Sequence, residues 1–396
     1  MPAAARGERY SLAVRTLCEF TAKSGSLDFR FTPSPTAQEG TAGHGWVGSQ
    51  RPAHYQREIT LRAAHGALQI RGRADGFDPI AGRLEEIKTY RGDLAAMPAN
   101  HRALHWAQAR IYGAMLCRER DLPEIELALV YFDLGTQRET VLSERYGAAD
   151  LQAYFEARCE QFLDWARREL AHRVRRDAAL RELGFPHAQF HAGQHQLSRA
   201  VFRSARAGRA LLAQAPTGIG KTIATLFALL KSMPTEELDR VFFLTAKTSG
   251  RAPALQALRS LFVTRPDLPL RVLEFASKES ACEHPGRVCS GATCPLALGF
   301  YERLPAARAA ALDSHCLTQA TLRRIALEHG ICPYYLAQEL ARWSDVIIGD
   351  YNHYFDASAL LHALTVVNDW RVGVLVDEAH NLLERGLENE KRIVHV

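Results

Sequence analysis

The chain has 396 residues, 47% of them hydrophobic, and a formal net charge of +5, which suits two or three packed domains and excludes a disordered or fibrous polypeptide. No stretch reaches the about 20 apolar residues of a membrane span, and no basic-then-apolar leader opens the chain, so a cytoplasmic protein without membrane contact is expected. Eight cysteines, five of them between Cys282 and Cys332, are spread too unevenly for a disulfide framework and point to a bound metal.

In chain order, a helix is expected from about 8 to 23, with Leu12, Val14, Leu17 and Phe20 near one side. A turn-rich segment then carries Gly40-Thr-Ala-Gly-His44. Glu58 to Ala63 and Ala67 to Gly76 read as two strands joined by a turn at Ala64-His-Gly66, and Leu84 to Tyr90 as a third. Period-2 alternation puts Glu86 and Lys88 on one face of that third strand and Glu85 on the other. A helix from His101 to about Arg118 sets Gln108 and Tyr112 four apart, hence on one side. A strand from Glu126 to Leu134 follows.

This order, with Asp75 followed by Glu86-x-Lys88, resembles the PD-(D/E)XK nucleases. Gly40-x-x-x-His44 before the strands and Gln108-x-x-x-Tyr112 after them are similar to the extra motifs of the RecB-like branch, over residues 1 to about 150. The resemblance implies that His44, Asp75 and Glu86 are ligands of Mg²⁺ or Mn²⁺, beside the Ile87 carbonyl. It implies that Lys88 orients water or steadies the phosphate, and that Gln108 and Tyr112 position DNA. Hard carboxylate oxygens suit such cations, and a bound cation makes its water more acidic. On this reading the N-terminal region alone cuts DNA. Taken singly, a Glu-x-Lys pair on a strand also fits a solvated face. Cys18, Cys117 and Cys159 read as packing residues.

A long helical connector is expected from Ala148 to Leu183, with Arg167, Arg168, Arg173, Arg175 and Arg176 as either a solvated or a DNA-contacting face. Past Phe185-Pro186 comes Phe190-His-Ala-Gly-Gln194. Ala210 to Ala213 is apolar enough for a strand, and Gln214-Ala-Pro-Thr-Gly-Ile-Gly-Lys-Thr222 then reads as a phosphate-binding loop opening a helix. Ala215, Pro216, Thr217, Gly218, Ile219 and Gly220 would wrap the phosphates of ATP, Lys221 would reach the β- and γ-phosphates, and Thr222 would hold Mg²⁺. Ala215 at the first position resembles superfamily 2 helicases. That resemblance makes Gln194, or its rival Gln196, the reader of the adenine edge. After the strand Arg240 to Leu244, the run Thr245-Ala-Lys-Thr-Ser-Gly-Arg251 looks like the helicase Ia motif, whose hydroxyl and basic groups, here Thr245, Lys247, Thr248 and Arg251, meet the backbone of single-stranded DNA.

Cys282, Cys289, Cys294 and Cys332 come next, and Val374-Leu-Val-Asp-Glu-Ala-His380 closes the series as a strand ending in a DEAH box. Asp377 would hold Mg²⁺, Glu378 would polarise the attacking water, and His380 would couple the nucleotide to the rest of the motor. Four cysteines between a phosphate loop and a DEAH box, with Cys332-Pro-Tyr-Tyr335, resemble the XPD-like and DinG-like helicases, which implies a [4Fe-4S] cluster. Four thiolates equally close a zinc site, although paired Cys-x-x-Cys knuckles are absent. Cys316 falls on an expected helix as a buried thiol, and it is an alternative ligand to Cys294 or Cys332.

The expected fold class is therefore α/β: a PD-(D/E)XK nuclease-like domain over 1–150, a helical connector over 151–184, and a RecA-like ATP-binding domain over 185–396 with an iron–sulfur insertion at about 276–340. A second RecA-like domain is not expected in this chain, so the chain itself is expected to bind ATP weakly and to fail at unwinding. The resemblance implies an ATP-dependent DNA helicase with a metal-dependent nuclease, acting on single-stranded or forked DNA in repair or defence. Two alternatives stay open: a nuclease whose ATP domain is a DNA clamp, and a non-catalytic DNA-binding remnant.

Overall fold

The computed structural model describes residues 10–29, 35–216, 218–246, 248–356 and 359–382. It divides into two compact α/β units, one formed by 1–171 with 287–302 and the other by 172–286 with 303–396.

The first unit is built on a mixed six-stranded sheet in the order β1-β3-β4-β5-β6, with β2 also paired to β3. The strands are β1 (Tyr10–Ala13), β2 (Gln56–His65), β3 (Leu68–Asp78), β4 (Arg83–Tyr90), β5 (Glu124–Asp133) and β6 (Glu139–Gly147). The helix expected from residue 8 begins only at Val14, as α1 (Val14–Thr21), because the preceding four residues pair parallel with β3 and bury Tyr10 and Leu12. A buried parallel edge outweighs helical spacing over so short a run.

The segment read as turn-rich is a helix, α2 (Ala37–Ser49), opened by a capping box in which the Thr36 side chain accepts from the Glu39 amide and Glu39 accepts from the Thr36 amide. The glycines that suggested turns serve close packing instead. A Cβ at Gly43 would stand 2.4 Å from Thr89 Cγ2 on β4. Helix α3 (Ala99–Arg120) follows β4, and β5 pairs parallel with β4 from Arg83↔Glu126 to Tyr90↔Asp133. Edge strand β6 pairs antiparallel with β5 and has no counterpart in the expected elements.

Residues 287–302 belong to this unit through backbone bonds to the loop after α1. Leu27 N donates to Ala297 O at 3.0 Å, Phe29 N to Cys289 O at 2.9 Å, and Gly291 N to Leu27 O at 3.0 Å. The expected connector is one helix, α4 (Ala148–Glu182), and the division between units falls within it at 171/172.

The second unit holds a five-stranded, wholly parallel sheet in the order β11-β7-β10-β8-β9. Its strands are β7 (Arg240–Thr245), β8 (Val272–Glu274), β9 (Cys316–Leu317), β10 (Val346–Asp350) and β11 (Val372–Val376). Fully buried runs such as Val241 to Leu244 and Val346 to Ile348 are what a parallel sheet covered on both faces requires. Helices α5 (Gln194–Ala207), α6 (Lys221–Ser232) and α7 (Arg251–Thr264) contribute Val201, Leu226, Leu230, Leu258 and Leu261 to its core. Two expectations are corrected here. Residues 210–213 form no strand, and Leu212 is 91% exposed, since an apolar run becomes a strand only where a sheet edge pairs with it. Cys316 lies on β9, opposite Val272, and not on a helix.

Candidate active sites

In the first unit, α2, β3, β4 and α3 bring the motif side chains together. His44 Nδ1 lies 3.2 Å from Asp75 Oδ1, and the Ile87 amide donates to Asp75 Oδ2 at 2.7 Å. Lys88 Nζ donates to Glu86 Oε1 at 2.6 Å. Burial raises the Glu86 carboxyl to about 7; the Lys88 ammonium opposes that rise and the Asp75 charge adds to it. Burial also pushes Asp75 upward, but the His44 hydrogen bond, the Lys88 charge and the Ile87 amide outweigh it and hold Asp75 low. Two carboxylates in one buried site thus share the usual division of roles, one ionised and one poised near neutrality.

Tyr112 is buried over Gly72, where a Cβ would meet its hydroxyl at 2.7 Å. Burial, then the charges of Glu86 and Asp75, drive its phenol well above the ordinary value. Gln108 is buried as well, and its Oε1 has no hydrogen-bond partner among the described residues.

Glu85 points to the other face, as alternation predicts. It accepts from Arg51 Nε at 2.8 Å and from Tyr55 Oη at 2.9 Å. His105, on the same helix as Gln108 and Tyr112, was not singled out from the sequence. Its Nδ1 is 3.0 Å from Tyr131 Oη, and burial, then the Lys88 charge, keep the imidazole well below its usual value and so neutral. The spacing His101, His105, Gln108, Tyr112 along one helical face was the available signal. Cys18, Cys117 and Cys159 are buried.

In the second unit, Gly218 and Gly220 take φ of 85° and 77°, and nothing lies within 4 Å of a Cβ at Gly218, which leaves an open backbone cradle. Gly220 caps α6, which begins at Lys221. Lys221 Nζ donates to Ala215 O at 3.2 Å. Burial, then the Glu378 charge, raise the Asp377 carboxyl above its ordinary value, and the Lys221 charge opposes that rise. Gln194 is 1% exposed and fully engaged: its Oε1 accepts from the His191 amide at 3.0 Å and its Nε2 donates to Gly220 O at 3.2 Å. It braces the loop in this structure.

Thr222 lies in the first turn of α6, and its carbonyl accepts from Thr225 Oγ1 at 3.2 Å. Pro216 and Ile219 flank the turn, while Thr217 lies outside the described residues. His380 Nδ1 is 3.5 Å from Glu378 Oε2.

Of the residues expected to meet DNA, Lys247 lies outside the described residues, Thr248 opens a 3-10 turn, and Thr245 ends β7 with its side chain buried. Arg251 is 2% exposed, and its Nη2 and Nε hold Asp350 at 2.6 and 3.3 Å.

Among the described residues no three His, Cys, Asp or Glu side chains form a metal-holding group, and the eight cysteines are free thiols. Of the expected set, Cys289 and Cys294 belong to the first unit and Cys282 and Cys332 to the second. His44 and the Ile87 amide engage the two oxygens of Asp75, and Lys88 engages one oxygen of Glu86.

Residues 247–392 match the family model DEAD_2. No curated protein matches the chain. Among solved structures, an XPD helicase is 20% identical with a TM-score of 0.35, over 50% of this chain and 34% of its own. A truncated XPD is 22% identical with a TM-score of 0.31, over 47% and 52%. A phage-related exonuclease from Haemophilus somnus 129PT is 14% identical with a TM-score of 0.27, over 40% and 82%. The chain thus spans 34% of the XPD helicase's length and 52% of the truncated XPD's. The DEAD_2 match takes in Asp377 and Glu378, and the phosphate loop lies before it.

Proposed function

We propose that the chain is an ATP-dependent DNA-processing enzyme in which a helicase-type motor centre and a metal-dependent nuclease centre are joined in one polypeptide. The observation that carries the nuclease half is the pairing of His44 with Asp75 and of Glu86 with Lys88 on neighbouring strands β3 and β4, under the buried Tyr112. A divalent cation there would be held by His44, Asp75 and Glu86, and it fits because the donor set is one imidazole and two hard carboxylates, with His44 already 3.2 Å from Asp75. Such a cation supplies an acidified water and charge neutralisation. The chain's own part is to place Lys88 beside the phosphate and to keep His105 neutral, so that it accepts or donates a hydrogen bond without repelling Lys88.

For the motor, Lys221 and Thr222 would hold triphosphate and Mg²⁺, Asp377 would hold that Mg²⁺ from the other side, and Glu378 would orient water. Single-stranded or forked DNA and a role in repair or defence follow from the family resemblance and belong to this proposal, as does cytoplasmic residence. So do Gln194 as an adenine contact and Gln108, Thr245, Lys247, Thr248 and Arg251 as DNA contacts. A [4Fe-4S] cluster on Cys282, Cys289, Cys294 and Cys332 is what the family resemblance of these cysteines implies, and no step above is routed through it. Iron analysis of anaerobically purified protein tests it: visible absorbance lost in Cys289→Ser is expected, and stoichiometric zinc without iron would replace the cluster with a zinc site.

The whole reading is tested on the full chain by Mn²⁺-dependent DNA cleavage lost in Glu86→Ala and by nucleotide binding lost in Lys221→Ala. Both activities intact in those variants would refute it.

A further inference from the structure

The DEAH box is held from behind by a tyrosine. Tyr351 follows β10, is 1% exposed, and donates its amide to Thr245 O, at the end of β7, at 3.2 Å. Its hydroxyl reaches the backbone carbonyl of Asp377 and, at 3.0 Å, that of Glu378. On the other side the Asp377 amide donates to Leu244 O at 2.9 Å, so the strand end is tied to β7 directly and through Tyr351.

This grip has a purpose in the backbone. Glu378 takes φ of 53°, the left-handed region that a residue with a Cβ avoids and that persists only where surroundings enforce it. Asn381 adds to the enforcement, its amide donating to Glu378 O at 3.0 Å and its Nδ2 at 3.1 Å. The Glu378 side chain is 54% exposed, while the Asp377 carboxyl one residue earlier is part-buried.

We infer that Tyr351 is a positioning residue for nucleotide hydrolysis, fixing the Asp377–Glu378 peptide so that one carboxylate meets the cation and the other meets the water. It touches neither. The inference rests on the nucleotide-site assignment proposed above and deepens it. Through its amide, Tyr351 also joins that peptide to Thr245, the β7 end proposed to lie on the DNA side, which gives strand binding a two-bond route to the hydrolytic pair.

The test is Tyr351→Phe in the full chain, which keeps the ring in its buried seat and removes only the hydroxyl. A fluorescent ATP analogue is titrated with and without Mg²⁺, and turnover is measured with single-stranded DNA. The variant is expected to bind the Mg²⁺-free analogue as the wild type does, with KM for ATP unchanged within about threefold. Its kcat and its Mg²⁺ enhancement of binding should each fall about tenfold, the scale of one well-placed hydrogen bond. A lowered melting temperature does not confuse the result, because the ratio of affinities with and without Mg²⁺ is read only on folded molecules. If binding depends on Lys221 and Tyr351→Phe matches the wild type in both kcat and Mg²⁺ enhancement, the inference alone is overturned. If binding is indifferent to Lys221→Ala, the nucleotide site is misassigned and the inference falls with it.

Discussion

Lys88 Nζ sits 2.6 Å from Glu86 Oε1 on the same face of β4, so a cation and a buried carboxylate are matched two residues apart on a central strand. A central strand fixes both side chains more tightly than a loop would, and the neutral His105 beside them adds no competing charge. Lys88→Ala should therefore lower the cleavage rate by about 10²–10³-fold, the cost of removing one preorganised donor from a developing charge. Metal affinity measured separately should weaken far less. Equal losses in both would make Lys88 a structural partner of Glu86 only.

Metal binding should depend on pH in one direction. With its carboxyl raised to about 7 by burial, Glu86 is protonated below that value and cannot hold a cation. Proton and cation compete, so Mn²⁺ affinity should climb about tenfold per pH unit up to about 7 and level off above it. Calorimetric titration across this range checks it, and an affinity that is flat from about pH 5.5 to 8 would contradict the assignment of Glu86 as a ligand.

Inside the second unit, Asp345 is paired with His172 at 2.8 Å and with Arg176 at 2.8 Å, all three buried. Burial favours the neutral acid, but the two bases overcome it and hold the carboxyl far below its ordinary value. The sign follows: this stability is complete above the unfolded carboxylate pKa of about 3.9 and is lost as pH falls toward the lower folded value. Asp345→Ala should cost about 3–5 kcal/mol at neutral pH by stranding two buried bases. Urea unfolding measures the loss, and a change under about 1 kcal/mol would mean that water or a shifted side chain replaces the carboxylate.

The phosphate loop has a steric lock. A Cβ at Gly220 would stand 2.3 Å from Gln194 Nε2, at a φ of 77° that side chains rarely adopt. Gly220→Ala should therefore displace Gln194 and weaken nucleotide binding by at least about tenfold, whereas Gln194→Ala, which keeps the turn, should weaken it less. Fluorescence titration with a nucleotide analogue decides the order of the two.

Much of the site was legible in the sequence because its chemistry is carried at fixed strand and helix spacings. Glu86 and Lys88 share a face as period-2 alternation requires, and Gln108 and Tyr112 both belong to the buried face of α3. What escaped depended on tertiary partners. The glycines of α2 read as turns until Thr36 and Glu39 are recognised as a capping box, a signal that was present at the right spacing. Strand β6 alternates weakly because, as an edge strand, it is largely exposed on both faces. Residues 210–213 have a strand's composition but no ladder partner among the described residues. What Tyr351 holds is two carbonyls 26 and 27 residues away, which no local spacing reveals.

The most direct test of the account is cleavage of end-labelled single-stranded DNA by the full chain in Mn²⁺ without ATP, comparing wild type with Glu86→Ala and Asp75→Asn. The account predicts metal-dependent cutting by the wild type and background levels in both variants, since each removes one of the two carboxylates that converge beside Lys88. Cleavage undiminished in both would contradict it.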